Sequence, residues 1–201
     1  VGTLSLGGLA VTFPIMNLSA AFGAMVGVGS STMISIKLGQ KDYQTAERVL
    51  GNLVSLNIII GIVVGVLGLI FIDPLLLFFG ASENTIMYAR DYMEIILYGN
   101  VVTHLFLGLN AALRSTGHPH VAMSATIATV IINAILDPLF IFTFGMGIKG
   151  AAIATILAQV FSLIYVITIL SNKKDLIHLH SGIYGLKKRI VKNIISIGMS
   201  P

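Results

Sequence analysis

The sequence predicts an all-α polytopic membrane protein, and three observations carry that class. Hydrophobic residues make up 56% of the 201 residues and charged ones only 10%, against about 25% charged in ordinary soluble domains. The apolar residues gather into runs of the length that a bilayer-spanning helix needs, about 20 residues. The charges fall between those runs and are sorted between alternate connections. Cysteine is absent, which excludes a disulfide framework and a thiolate metal site. No basic segment followed by an apolar stretch and a cleavage site opens the chain, so no signal peptide is expected.

Taken in order, five complete spans are expected at Leu6–Ile36, Val49–Ile72, Ile86–Leu113, Val121–Gly145 and Ile148–Leu170. A sixth starts near Ile190 and is cut off at Pro201. The breaks are Lys37–Glu47, Asp73–Glu83, Arg114–His120, Phe144–Lys149 and Ser171–Arg189. Small residues four apart, Gly23 with Gly27, Gly61 with Gly65 and Ala154 with Ala158, let helix backbones approach closely in lipid. Pro14 and Asn17 are candidates to bend the first span and line a cavity. The methionines Met16, Met25 and Met33 would be adaptable ligand contacts, although packing is the plainer explanation.

Orientation follows from the excess of Lys and Arg on cytoplasmic loops. Of the 12 such residues, Lys37, Lys41, Arg48, Arg114, Lys173, Lys174, Lys187, Lys188, Arg189 and Lys192 lie on one side, with only Arg90 and Lys149 on the other. The basic side is cytoplasmic, and the net charge of +4 reflects topology, not nucleic-acid binding. Residues 177–189 form an amphipathic cytoplasmic linker between a lobe at 1–176 and the start of a further helix at 190–201.

Asp137 is the only charged residue between Val121 and Ile148. A carboxylate at the centre of a membrane helix costs roughly 2.5–3.5 kcal/mol on insertion scales, so it normally faces a cavity or a partner. Thr126, Thr129, Asn133 and Asp137 recur at helical spacing on one face. Span five carries Thr155, Gln159 and Ser162 in the same way, and span three carries Asn100, Thr103 and Asn110, with His104 beside them. At 1.5 Å per residue, Asp137, Thr155 and Tyr92 lie at similar depths of about 9–12 Å from the outer side. Asn133 is one turn deeper and Asn110 well towards the cytoplasm.

Pro138 removes a backbone donor and frees the Ala134 carbonyl. A carboxylate beside an amide, a hydroxyl and a free carbonyl suits Na⁺ at Asp137, Asn133 and Thr155. It equally suits a carboxyl that takes up a proton. The plain alternative is a polar network that only fixes packing. His104 is a candidate proton relay or a hydrogen-bonded packing residue, and Glu94 either joins the cation site or pairs with Arg90 four residues away. The pairs His118/His120 and His178/His180 lack the acidic or thiol partners of a metal site. No nucleophile-and-base arrangement and no Gly-rich phosphate loop is present, so neither an enzyme nor direct ATP coupling is expected.

The segments FPIMNLSAAFGAMVGVGSSTMISIKLGQKD, LNAALRSTGHPHVAM, NAILDPLFIF and GMGIKGAAIATILAQ closely resemble the MATE family of multidrug and toxic compound extrusion transporters, most of all its prokaryotic DinF-like branch. The resemblance implies twelve spans in two lobes around a cavity, of which this chain would supply helices two to six and the opening of helix seven. It implies a cation site of Asp137, Asn133, Thr155 and Tyr92, with Asn110 in the cavity network. Asn17, Pro14, Gln159 and His104 are further cavity candidates. A helix-one aspartate and a second lobe would lie outside this sequence, so the chain is expected to be a fragment whose partners include them.

The expected function is a cation-coupled (H⁺ or Na⁺) antiporter exporting drug-like amphipathic compounds across a bacterial or archaeal inner membrane, with no cofactor besides the coupling ion. One alternative is a lipid-linked oligosaccharide flippase, disfavoured because its cavity would hold several Arg or Lys for pyrophosphate. The other is a scaffold subunit in which Asp137 only packs.

Overall fold

A computed structural model describes residues 2–200. Val1 and Pro201, the expected limits of the lobe and of the last helix, lie outside the described residues. Among the described residues the chain forms eight α-helices and one π-helical turn, with no strand.

The first span is α1 (Thr3–Gly39), interrupted by no break although Pro14 lies inside it. It ends at a tight turn in which Lys41 adopts a left-handed backbone, φ 58°. Asp42 then caps α2 (Tyr43–Ile70) by accepting from the Thr45 backbone N–H at 3.2 Å. Those bonds from Thr45, with a smaller contribution from Lys37, hold the Asp42 carboxyl below the usual carboxylate range. The second span therefore begins six residues before the expected Val49. The expected break at Asp73–Glu83 opens inside a short helix, α3 (Ile72–Phe78).

The third span differs most from expectation. Instead of one helix it is two, α4 (Ile86–Tyr98) and α5 (Asn100–Ser115), bent by 57° at Gly99. Gly99 is the position against which the Ile156 side chain packs, so closely that any Cβ there would collide with it. The Val102 N–H bonds back to the Gly99 carbonyl at 2.9 Å and starts the new helix in the new direction.

The fourth span is α6 (Pro119–Pro138), continued by a π-helical turn over Leu139–Thr143. Proline supplies no N–H, and the ladder beyond it resumes in a wider register, Phe144 N–H to Leu139 O at 3.0 Å. The expected disturbance at Pro138 is thus a change of helical type. Gly150 brings the backbone of the fifth span, α7 (Gly147–Leu170), against the backbone of Phe140 in this turn. The last helix, α8 (Lys188–Gly198), begins at Lys188.

α1 packs against α2, α4, α5 and α8, while α7 packs against α4, α5 and α6. Two apolar clusters result. One, at the basic end, gathers Ile34, Leu50, Leu53, Leu109, Leu113 and Ile194. The other, at the opposite end, gathers Ile15, Leu76, Met93, Ile96 and Leu97. Ile62, Val63, Val66, Leu67 and Ile70 project from α2 about half exposed or more, the character of a lipid-facing surface. The structure is that of a multi-pass membrane protein.

The segment between α7 and α8 is held down. Asn52 on α2 donates to the Gly185 carbonyl at 3.2 Å and accepts from the Lys187 N–H at 2.9 Å. Ser55 donates to the Tyr184 carbonyl at 2.7 Å. His178 and His180 each approach one oxygen of Glu47 at 3.4 Å, while Ile177 and Ile183 are buried. The amphipathic character expected of this linker is therefore used to fasten it across the basic end of α2.

Two outcomes follow from this packing. At Gly61 a Cβ would come within 2.9 Å of the Val101 Cα, so Gly61→Leu should cost about 1–3 kcal/mol through overpacking. Gly39→Ala, with nothing within 4 Å, should be near neutral; thermal unfolding of the two purified variants compares them. Asn52→Leu should release the linker, and faster tryptic cleavage at Lys187–Arg189 than in the wild type reports it.

Candidate functional site

The functional candidates fall into two polar groups, and the bend at Gly99 separates them. The first surrounds Asp137. The Asn133 side-chain N–H₂ donates to Asp137 Oδ1 at 3.0 Å, one turn away on the same helix. It also reaches Thr155 Oγ1 on α7 at 3.5 Å. Thr155 is itself oriented by donating to the Ala151 carbonyl at 2.9 Å. Tyr92, 6% exposed on α4, lies near Thr155 and Asp137 where α4 packs against α7. Three helices thus bring Asp137, Asn133, Thr155 and Tyr92 to one place, as the depth comparison anticipates. Among the described residues no Lys, Arg or His pairs with Asp137.

The stripes on α6 and α7 meet elsewhere too, since Thr129 donates to Ser162 Oγ at 2.7 Å. Above the cluster, the rim cations are already paired. Arg90 bonds Glu94 at 2.9 Å and Asp73 at 3.2 Å, and Lys149 bonds Asp91 at 3.2 Å. Glu94 is therefore engaged at the rim with Arg90.

The second group sits between the two apolar clusters. Ser19 on α1 donates to Asn100 Oδ1 at 2.7 Å and lies 3.3 Å from His104 Nε2. Asn100 donates in turn to the Gly61 carbonyl on α2 at 3.0 Å. Gly23 lets α1 lie against the His104 ring, which is fully buried. Thr103 donates to Gln159 Oε1 at 2.6 Å, joining α5 to α7. His104 and Gln159, expected at a cavity, are here built into contacts between helices. Ser19 was not singled out in the sequence, because its partners are more than 80 residues away and leave no local signal.

The remaining candidates lie apart from both groups. Asn110 is buried near the basic end, where it donates to the Ala122 carbonyl at 2.9 Å. Pro14 and Asn17 are exposed on a face of α1. His118 approaches Asp175 at 3.7 Å, and His178 and His180 converge on Glu47. Among the described residues no group of three or more His, Cys, Asp or Glu is placed to hold a metal.

The MatE family model matches residues 1–139, which include Asp137, Asn133 and Tyr92 and stop short of Thr155. Over 191 residues the chain is 30% identical to the multidrug export protein MepA of Staphylococcus haemolyticus (strain JCSC1435), covering 95% of this chain and 42% of that protein. MepA of Staphylococcus aureus (strain MRSA252) is 28% identical over the same length and with the same coverage. A solved structure described as MATE in the bent conformation matches with a TM-score of 0.93 at 30% identity, over 98% of this chain and 44% of that one. An inward-facing multidrug resistance MATE family transporter matches with 0.93 at 29%, over 98% and 45%. The chain spans about two fifths of the length of these curated relatives. These relatives are described as exporters or transporters, not as enzymes.

Asn100→Ala would leave Ser19 and the Gly61 carbonyl without this shared partner. It should lower unfolding stability by about 1–3 kcal/mol, measured by thermal or chemical unfolding of the purified protein. An unchanged transition would remove the network from the list of stabilising contacts.

Proposed function

The chain belongs to the MatE family, and from that premise we propose that the whole protein is a secondary antiporter that exports drugs and other amphipathic small organic compounds, driven by H⁺ or Na⁺. The relatives named as multidrug export proteins support the drug-like substrates. The observation that carries the coupling is Asp137, a carboxylate within a span whose near neighbours are an amide and two hydroxyls and no cation. Desolvating that charge is costly, so a proton or a metal cation arriving there offsets the cost.

In the present arrangement the Asn133 amide offers its N–H₂ to the carboxylate. Na⁺ would instead take the amide oxygen, after a half-turn of the amide, together with Asp137 and Thr155. A proton would neutralise Asp137 and leave Asn133 without its charged acceptor. Either event alters the contacts between α6 and α7, and Tyr92 transmits the change to α4. By linkage, if ion binding lowers drug affinity then drug binding lowers ion affinity by the same factor, so each favours release of the other. The basic end, carrying the linker, faces the cytoplasm of a bacterial or archaeal cell under the positive-inside rule.

In the full-length protein, Asp137→Asn should reduce gradient-driven ethidium efflux to the level of cells lacking the transporter, with normal insertion in the membrane. Imposing Na⁺ and H⁺ gradients separately identifies the ion. Wild-type efflux by the variant would defeat the assignment of Asp137.

A further inference from the structure

At the basic end α1, α2 and α8 enclose a cavity of about 410 Å³. Four cations line it: Lys37 from α1, Arg48 from α2, and Lys187 and Arg189 at the start of α8, along with Thr45 and Asn193. Asp42 is its one carboxylate, and it is already engaged by the Thr45 N–H at 3.2 Å and by Lys37 at 3.5 Å. Among the described residues Arg48, Lys187 and Arg189 form no salt bridge. Met33 and Ile190 supply the apolar part of the wall.

The fold forces these charges together. α8 is clamped on α1 where Gly29 meets the backbone of Ile194 and Gly198 meets that of Met25, so closely that no Cβ would fit at either glycine. Ile190 and Ile194 are buried in the same contact. Asn52, itself fully buried, fixes Lys187 by accepting its backbone N–H at 2.9 Å. Repulsion between like charges is therefore built into the docked position of α8. The start of that helix adds to it. No side chain caps it and no acidic residue lies in its first turn, so its free N–H groups and positive dipole end share the site with Lys188 and Arg189. The positive-inside rule accounts for cations at this end, as it does for the exposed Lys173 and Lys174. It does not account for cations of three helices converging on one cavity. Tyr43, exposed beside Asp42, is of the type enriched at the headgroup level, which puts the cavity at the edge of the membrane.

We propose that this cavity binds the phosphate of an anionic glycerophospholipid from the leaflet at the basic end, with Arg48, Lys187 and Arg189 as its cationic partners. Phosphate oxygens suit this set, since a guanidinium meets them with two parallel N–H donors and a lysine with a point charge. A bound phosphate offsets the repulsion among the three and holds α8 to α1 and α2. The lipid thereby fixes the joint at which the linker enters the next helix. A choline headgroup brings its own cation into the same cavity and binds worse. Inorganic phosphate offers the same oxygens but no acyl chains to anchor it in the membrane.

The test uses the purified full-length protein and native mass spectrometry, with dioleoyl phosphatidylglycerol, dioleoyl phosphatidylcholine and inorganic phosphate as probes. The wild type should retain phosphatidylglycerol about tenfold or more tightly than phosphatidylcholine. Arg48→Gln combined with Arg189→Gln should remove that preference, since each cation beside an anionic lipid contributes about fivefold to binding. Lys173→Gln combined with Lys174→Gln removes the same charge outside the cavity. It should leave the preference within about twofold, because exposed charges away from the phosphate are screened by salt. Equal loss in both pairs would mean diffuse attraction to a basic surface and overturn the site. So would equal retention of the two lipids by the wild type, or an unchanged preference in the Arg48 and Arg189 variant. Displacement of phosphatidylglycerol by millimolar inorganic phosphate would assign the cavity to a soluble anion and overturn the lipid assignment. If the double variant fails to fold, Lys187→Gln, which should lose part of the preference, and the wild-type comparison still decide.

Discussion

The hydrogen bonds converging on Asn100 tie the lobe together. Asn100 is the first residue after the bend at Gly99, and it accepts from Ser19 on α1 while donating to the Gly61 carbonyl on α2. Three helices are fixed at one level, midway between the two apolar clusters. In lipid, apolar side chains gain little by leaving the tails for one another, so polar bonds and close backbone contact carry more of the specificity. The glycines serve the same level. Gly61 lies against Val101 and Gly23 against His104. Removing bulk from one helix makes room for the polar group on its neighbour.

From this level the bend aims α4 away from the line of α5, and that direction takes Tyr92 to α7. Ile156 packing at Gly99 fixes the angle from the other side. The rim pair Lys149–Asp91 ties the start of α7 back to α4. The position of Thr155 beside Tyr92 therefore depends on a packing contact, an ion pair and a bend, all outside the cluster. The π-helical turn after Pro138, with Gly150 against Phe140, does the equivalent for α6.

The sequence was legible where periodicity and charge are local. The runs of apolar residues located the spans, the lone Asp137 in its apolar stretch marked a polar cluster, and helical rise placed Tyr92, Asn133 and Thr155 near it. What was not legible came from contacts distant in sequence. Gly99 looks like any glycine in an apolar run until Ile156 is packed on it, so the third span was expected as one helix. The helical start at Tyr43 was hidden because its first turns are polar, and only the Asp42 cap marks it. The fastening of the linker by Asn52 and Ser55 joins residues about 130 apart. Thr103 and Gln159 were seen as parts of separate stripes, but their direct bond needs the angle between α5 and α7.

The bond between Asn133 and Asp137 lies within one helix, whereas Thr155 and Tyr92 belong to others. The polar cluster is therefore divided between two parts, one on α6 and the other on α4 and α7. Sliding or tilting α6 leaves its own half intact and changes only the gap to the other half. For an occupant spanning both halves, binding strength becomes a function of a single coordinate, the separation of α6 from α7. An oxygen-coordinated cation tolerates only a few tenths of an ångström in that coordinate before it loses ligands, whereas a proton on Asp137 tolerates more. α6 is also the span with the least of its surface buried within the lobe. The charge is thus carried by the least buried of the long spans, held chiefly by its packing on α7, so the width of the cluster and the α6–α7 contact are set together.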